Sequence, residues 1–277
     1  MKILVTGGAG YIGSNLIKHL KKTTDAEITS LDNYFTGTKQ NHIKGVKYIK
    51  GDTSDISNLN KQDVVYHFGE YSRVVPSFKD VEYLMKTNLL GTSIVIEQCK
   101  KWNAKLIYSA SSSKFGGNEN LSPYSWVKAK MVELIKNYNE WYNLNYEICY
   151  FYNVYGENHI TQGSYATVIG IFETQYKNNE TLTVVSDGNQ TRQFTHVKDI
   201  VNALGMILKQ NVDNEWHLSS DIEYKVIDVA KMFTDNIKII PSRNGERYNS
   251  VSIENNTKEI LGWEIKHNLK DYINERK

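Results

Sequence analysis

The segment Thr6-Gly7-Gly8-Ala9-Gly10-Tyr11-Ile12-Gly13 directly follows the aliphatic run Ile3-Leu4-Val5 and leads into a helix-length segment. Gly8, Gly10 and Gly13 match the spacing G-x-G-x-x-G, and Gly7, Gly10 and Gly13 match G-x-x-G-x-x-G. Here a strand must turn sharply into a helix, admit a diphosphate to the backbone, and let the helix pack closely on the strand. Only residues without a Cβ satisfy all three conditions. The segment therefore predicts a dinucleotide-binding turn with cofactor contacts from Gly7, Gly10, Tyr11, Ile12 and Gly13.

An acidic residue follows at the distance that such a turn requires. Asp32 lies 19 residues after Gly13, at the end of the predicted strand Glu27–Leu31. A carboxylate there accepts hydrogen bonds from the adenosine ribose and repels a 2′-phosphate, so the sequence predicts NAD rather than NADP. Asn33 is a further cofactor candidate. Asp52 and Thr53 follow the next predicted strand; Asp52 either accepts from the adenine amino group or forms a turn.

Charge and composition exclude several classes of protein. The 277 residues include 33 Lys and Arg against 31 Asp and Glu, a net charge of +2, which argues against a nucleic-acid partner. No apolar run is long enough to span a membrane, and Met1 leads straight into the glycines without a secretory signal. Cys99 and Cys149 stand alone in apolar stretches, so neither a disulfide framework nor a metal site is expected. We expect a cytoplasmic protein with no membrane partner.

Short strands alternate with longer amphipathic segments over the first half of the chain. The predicted strands are Lys2–Val5, Glu27–Leu31, Val46–Ile49, Val64–Phe68, Lys105–Tyr108 and Tyr146–Tyr150. The predicted helices there are Tyr11–Lys22, Val81–Trp102 and Tyr124–Tyr142, with later ones at Tyr165–Lys177, Lys198–Lys209 and Val226–Phe233. Continuous apolar strands that alternate with helices predict an α/β fold, a doubly wound parallel Rossmann sheet.

The pattern loosens in the second half, which predicts a smaller, irregular C-terminal substrate lobe. We place an NAD-binding Rossmann domain at 1–160, with a returning segment near 194–218, and a substrate lobe mainly at 161–277. Loops on such a lobe commonly supply substrate contacts.

A second motif follows the predicted strand Lys105–Tyr108. Ser109 and Ser111 stand at the strand end, and Tyr124 and Lys128 follow after Pro123, a residue suited to a helix start. Tyr124 and Lys128 are four residues apart and project from one helical face. A nearby ammonium favours the phenolate, which can take a proton from a sugar hydroxyl while hydride leaves the same carbon.

The order of these segments resembles the extended short-chain dehydrogenases/reductases, and within them the nucleotide-sugar epimerases of the UDP-glucose 4-epimerase kind. The resemblance rests on TGGAGYIG at 6–13, Asp32, SASSSKFGG at 109–117 and YSWVK at 124–128, and extends to NVYG at 153–156 and RNGE at 243–246. It implies that Ser111 is the catalytic serine, Tyr124 the acid/base and Lys128 its partner, which also holds the nicotinamide ribose.

The resemblance also implies further contacts. Cofactor contacts would come from Phe68, Gly69, Asn88 and Ser109. Substrate contacts would come from Asn153 on a phosphate, Arg192 and Arg243 on the diphosphate, and Glu246 and Ser250 in the same lobe. Because the side chain of Ser250 is small, an N-acetyl group on the sugar should also fit. Apolar faces on Val81–Trp102 and Tyr124–Tyr142 match the helices that form a homodimer in relatives.

Several reactions share this chemistry. Dehydratases of the family place an acidic pair after the catalytic serine, where this chain has Ser112 and Ser113, and the Glu of the decarboxylases is also missing there. The sequence thus favours a UDP-hexose 4-epimerase that acts by transient oxidation at C4. The alternatives are an epimerase at C6 of a nucleotide-linked heptose, a dehydratase, and a non-catalytic NAD-binding sensor. Asp32 argues against the heptose enzymes, which prefer NADP.

Overall fold

The computed structural model describes residues 1–115, 119–245, 247–249, 253 and 255–277. The described strands are β1 (Lys2–Thr6), β2 (Glu27–Asp32), β3 (Lys47–Lys50), β4 (Val64–His67), β5 (Lys105–Ser111), β6 (Tyr146–Phe151), β7 (Val154–Tyr155), β8 (Leu182–Val185), β9 (Thr191–Gln193), β10 (Thr195–His196), β11 (Glu215–Leu218), β12 (Glu223–Lys225) and β13 (Ile237–Ile240). The described α-helices are α1 (Tyr11–Thr23), α2 (Val81–Leu84), α3 (Thr92–Trp102), α4 (Pro123–Tyr142), α5 (Val168–Lys177), α6 (Val197–Ile207), α7 (Val226–Lys231), α8 (Thr257–Leu261) and α9 (Leu269–Asn274).

A parallel sheet of seven strands forms the centre of the molecule, in the order β11-β6-β5-β4-β1-β2-β3. The chain runs from β1 outward to β3 and then crosses back to β4 on the other side of β1. Strand order therefore reverses at β1, and the carboxyl ends of β1 and β4 open a crevice of the kind that binds ligands in such sheets.

Helices cover both faces of this sheet, as the predicted doubly wound fold requires. On one face α2, α3 and α4 bury an apolar layer that includes Val95 and Ile135. On the other face α1 and α6 bury Leu16 and Leu204. The predicted fold class is confirmed, since the strands are parallel and buried on both sides.

Three two-stranded sheets accompany the large one: β10 with β7, β12 with β9, and β13 with β8. The last of them packs with α5 and α7 around a separate apolar cluster that includes Phe172 and Val229. Strand β11, at one edge of the large sheet, follows α5 and α6 in the chain, so the large sheet also contains residues from the second half of the sequence. Our division of the chain at residue 160 stays a prediction.

The predicted elements differ from the observed ones by a few residues at their ends, and two further differences affect the site. The predicted helix Val81–Trp102 contains a π-helical stretch, Met85–Gly91, between α2 and α3. This wider turn carries the buried side chain of Asn88. Its amide oxygen accepts from the backbone N–H of Tyr71 at 2.7 Å, and its amide nitrogen donates to the carbonyl of Tyr71 at 2.8 Å. Strand β5 runs three residues further than predicted, so Ser111 is its last residue.

Both cysteines are buried and unpaired. No helix within the described ranges is long and apolar enough to cross a bilayer.

Candidate active site

The glycine-rich turn joins β1 to α1 at the crevice. Gly7 has a φ of 70°, and a Cβ there would lie 2.8 Å from the backbone nitrogen of Gly69. A Cβ on Gly13 would lie 2.2 Å from the carbonyl oxygen of Gly7, so α1 packs directly on the turn. Gly10 caps α1 without a side chain, which leaves the first helical amides of Tyr11 and Ile12 facing the cavity. Such a helix start fits an anionic diphosphate.

Polar groups at the ends of β2 and β3 line the same cavity. The carboxylate of Asp32 accepts from the amides of Ala9 at 2.9 Å and Tyr34 at 2.8 Å, which fixes its orientation. The amide of Asn33 donates to Asp52 at 2.8 Å. Asp32, Asn33, Asp52 and Thr53 all line the cavity. Each carboxylate oxygen can accept a second hydrogen bond, so these residues fit the adenosine half of NAD.

The predicted catalytic residues lie at the other end of this cavity. Ser111 ends β5, and its hydroxyl accepts from the amide of Ser113 at 3.2 Å. Tyr124 is the second residue of α4, which starts at Pro123 behind the capping residue Ser122. Ser111, Tyr124 and Lys128 line one continuous cavity with the glycine-rich turn and Asp32. The structure thus brings the predicted catalytic residues and the predicted dinucleotide site into one cavity.

A carboxylate that the sequence reasoning missed contacts Lys128, the predicted partner of Tyr124. The Lys128 ammonium donates to Glu70 and to the carbonyl of Ser109, and both side chains of the ion pair are almost fully buried. Glu70 also accepts from the hydroxyls of Thr92 at 2.9 Å and Tyr108 at 3.1 Å. Its position directly after Gly69, at a strand end beside the crevice, was the available signal. Glu70 fixes the direction in which the ammonium points.

The ends of β1 and β4 are held by a buried histidine. His67 lies between the hydroxyls of Thr6 at 2.7 Å and Thr92 at 2.9 Å. Burial lowers the pKa of His67 to about 4, so the ring is neutral. Phe68 and Gly69, which follow His67 in the chain, line the cavity. Asn88 does not line it and instead accepts a hydrogen bond from the backbone amide of Tyr71. Asn88 thus supports the loop that follows β4, and its predicted cofactor contact stays a prediction.

Three of the residues predicted to contact the substrate from beyond β6 line the cavity: Asn153, Arg192 and Arg243. Asn153 donates to the carbonyl of Gln193 at 3.0 Å, and Arg192 donates to the carbonyl of Arg247 at 2.7 Å. Arg243 is exposed at the cavity mouth. Glu246 and Ser250 lie outside the described residues.

These features match those of a known group of enzymes. Residues 3–218 match the model of the NAD dependent epimerase/dehydratase family. The chain belongs to this family.

Individual members of the family resemble the chain over nearly its whole length. A protein of Methanocaldococcus jannaschii, provisionally named a UDP-glucose 4-epimerase, is 31% identical over 294 residues, covering 98% of this chain and 95% of the relative. UDP-glucuronic acid decarboxylase 3 of Arabidopsis thaliana is 27% identical over 300 residues, covering 98% of this chain and 86% of the relative.

A solved structure shows the same fold. The UDP-glucose 4-epimerase of Thermotoga maritima, determined with UDP-glucose, is 25% identical and has a TM-score of 0.91, covering 99% of this chain and 96% of that chain. The predicted family is thereby confirmed. The chain is an enzyme of a NAD-dependent family that includes epimerases, decarboxylases and dehydratases of nucleotide sugars.

Two arginines near the cavity were not predicted from the sequence. Arg247 donates to the carbonyls of Ser112 and Phe115, both at 2.6 Å, and so joins the second lobe to the turn after β5. Burial lowers the pKa of Arg247 from its usual value. Arg73 follows Glu70 by three residues and lines the cavity near Tyr124. Neither arginine belongs to a sequence pattern that we could read.

Proposed function

We propose that the protein is a NAD-dependent 4-epimerase of a nucleotide-linked hexose, with UDP as the expected nucleotide. The observation that carries the proposal is the continuity of one cavity from Asp32 to Tyr124. It can hold a dinucleotide along the glycine-rich turn and leaves the space between Ser111 and Arg243 for a sugar nucleotide.

The side chains divide the chemistry between them. NAD, when bound, supplies a hydride acceptor that can later return the hydride to the sugar. Tyr124 takes the proton of the C4 hydroxyl as the C4 hydrogen leaves, and Ser111 donates to the same oxygen. Lys128, held by Glu70 and the carbonyl of Ser109, supplies positive charge beside the tyrosine. If the 4-keto sugar rotates in the cavity so that its opposite face meets the cofactor, return of the hydride to that face inverts C4.

The positions of the carboxylates favour epimerisation over elimination of water. Among the described residues that line the cavity, the carboxylates are Asp32, Asp52 and Glu70. The first two lie at the adenosine end, and Glu70 is paired with Lys128. Ser112 and Ser113, directly after the catalytic serine, cannot act as carboxylate bases. A free carboxylate that could take the C5 proton is therefore lacking among the described side chains near Tyr124.

The test is a product analysis. Purified protein is incubated with UDP-glucose, UDP-galactose, UDP-glucuronic acid and UDP-N-acetylglucosamine, and the sugars are separated and identified by NMR. We expect a C4 epimer from at least one of them, with no net change in NAD. A 4-keto-6-deoxy sugar or a pentose as the only product would refute 4-epimerisation. Acceptance of the N-acetyl sugar stays a separate prediction that depends on Ser250.

We also propose that the protein is a homodimer. Val81 and Leu90 in the α2–α3 region, and Trp141 and Tyr142 at the end of α4, expose 37%, 57%, 59% and 52% of their surface in the single chain. Both regions lie on the same side of the sheet. A second copy of the chain would cover them. Sedimentation equilibrium tests this, and a purely monomeric protein at micromolar concentration would contradict it.

A further inference from the structure

Arg73 lines the same cavity as Tyr124, and its guanidinium has no carboxylate partner among the described residues. Its Nε donates to the carbonyl of Tyr165 at 2.8 Å, and its Nη2 donates to the same oxygen. Its Nη1 donates to the carbonyl of Ser72 at 3.0 Å. In the described part of the chain, its hydrogen bonds thus go only to neutral carbonyl oxygens.

These contacts leave part of the guanidinium available. An arginine has five N–H groups, of which three are used here. One N–H remains on Nη1 and one on Nη2, and these two atoms form the end of the guanidinium. Such a pair of donors matches the two oxygens of a carboxylate. The contacts to Tyr165 and Ser72 hold the guanidinium in place, so little side-chain entropy would be lost on binding.

The surroundings of Arg73 contain no ion pair for it among the described residues. Its strongest electrostatic neighbours are tyrosines, with Tyr124 first and Tyr11 second, and burial lowers the pKa of the guanidinium from its usual value. The carboxylate of Asp80 accepts hydrogen bonds from the hydroxyls of Tyr71 at 2.8 Å and Tyr165 at 3.3 Å, and it forms no ion pair with Arg73. Glu70 is held by Lys128. The guanidinium is half-buried, and a partly desolvated cation without a counter-ion is costly, so an anionic ligand would reduce that cost.

The segment after β4 that carries Arg73 contacts the start of α4, where the amide of Tyr124 donates to the hydroxyl of Ser77 at 3.4 Å, and both Arg73 and Tyr124 line the cavity. This position indicates which part of a sugar nucleotide would lie near Arg73. Tyr124 acts at C4, so a group near it faces C4 and its neighbour C5. The diphosphate is attached to C1, across the ring, toward the candidate contacts of Arg192 and Arg243 in the second lobe. In a uronic acid, C5 carries a carboxylate.

Resting on the proposed function, we infer that the substrate is a nucleotide-linked uronic acid whose C5 carboxylate is bound by Arg73. The guanidinium would donate to both oxygens of that carboxylate and fix the ring with C4 at Tyr124. Ion pairing of this kind also stabilises the carboxylate as an anion, which opposes loss of carbon dioxide from the 4-keto sugar. Arg73 would then serve both selectivity and the retention of the acid group.

The test compares a charged with a neutral sugar on the NAD-loaded protein. For the unmodified protein we expect UDP-glucuronic acid to bind at least about tenfold more tightly than UDP-glucose in calorimetry. Arg73→Gln should weaken binding of UDP-glucuronic acid by roughly 10- to 100-fold and change that of UDP-glucose little. Arg73→Lys, which keeps the charge but not the paired donors, should fall between. Lys79→Gln removes an exposed charge six residues away and should change neither affinity.

Three results would overturn the inference. The first is equal affinity of the unmodified protein for both sugars, a result that needs no variant to fold. The second is weaker binding of NAD by Arg73→Gln, with unchanged sugar selectivity, which would assign the guanidinium to the cofactor diphosphate. The third is an equal loss of affinity for both sugars in Arg73→Gln, which would mean that the guanidinium positions Tyr124 and does not bind a carboxylate.

The proposed function can fail separately. If UDP-glucuronic acid binds selectively through Arg73 but yields a pentose, the carboxylate site stands and 4-epimerisation is refuted. If C4 epimers form from both sugars without preference, 4-epimerisation stands and the carboxylate site is refuted.

Discussion

Lys128 and Glu70, 58 residues apart in the chain, form a buried ion pair at the catalytic end of the cavity. The pair joins α4 to the loop after β4, and the hydroxyls of Thr92 and Tyr108 both donate to Oε1 of Glu70. Lys128 is thus part of the packing of the molecule as well as of its proposed chemistry.

Removing Glu70 should therefore destabilise the protein strongly. Glu70→Ala leaves the Lys128 ammonium buried without its counter-ion, and we expect the free energy of unfolding to fall by about 3–5 kcal/mol. Urea denaturation measures the change. Glu133→Ala, which breaks an exposed pair with Lys130 on the same helix as Lys128, serves as the control and should leave the midpoint unchanged. Equal midpoints for the two variants would show that the buried pair contributes nothing.

Tyr124→Phe should abolish most of the turnover and leave NAD binding intact. Only the ionisable hydroxyl is lost, and a general acid or base typically contributes roughly 10²–10⁴-fold. Turnover is measured with the sugar that gives the highest rate, and NAD binding by fluorescence. Tyr142→Phe removes a hydroxyl from the far end of the same helix and keeps the ring that the proposed dimer would cover, so it should match the unmodified protein. Turnover within about twofold of normal for Tyr124→Phe would remove Tyr124 from the mechanism.

Asp32 should make the protein select NAD over NADP. Its carboxylate is fixed by the amides of Ala9 and Tyr34, so it cannot turn away from a 2′-phosphate. Calorimetric titration should show tighter binding of NAD than of NADP. Asp32→Asn should weaken NAD by roughly tenfold or more, because hydrogen bonds to a charged group are lost. Asp25→Asn, at an exposed position before β2, is the control. Tighter binding of NADP to the unmodified protein would contradict the assignment.

Gly13→Ala should damage both the fold and the cofactor site. The new Cβ would lie 2.2 Å from the carbonyl oxygen of Gly7, which is backbone and must move. We expect a loss of about 1–3 kcal/mol in the free energy of unfolding, together with weaker NAD binding. Lys18→Ala, exposed on the same helix, should show neither effect. Normal stability and NAD affinity in Gly13→Ala would mean that the turn is less tightly packed than described.

Local spacing explains what could be predicted from the sequence. The glycine-rich turn, Asp32 and the pair Tyr124 and Lys128 depend on residues close in the chain or at strand ends, and the predicted sheet followed from the same patterns. Glu70 and Arg247 could not be assigned in this way, because their partners Lys128 and Ser112 lie 58 and 135 residues away.

Arg73 illustrates a different limit of sequence reading. Its significance lies in what surrounds it, two carbonyl oxygens and a set of tyrosines, rather than in a recognisable motif. The π-helical stretch Met85–Gly91 was missed for a related reason: a buried amide that bonds the backbone of Tyr71 is a tertiary contact, without a periodicity of its own.

The place of β11 in the large sheet has a consequence for the protein during its synthesis. The backbone of β6 pairs on one side with β5 and on the other with β11, and residues 152–214 are translated between β6 and β11. Until Leu218 has left the ribosome, one edge of β6 carries unpaired N–H and C=O groups, which can pair with strands of other nascent chains. Among the paired strands of the large sheet, Tyr146–Phe151 is therefore the one whose edge waits longest for its partner during synthesis.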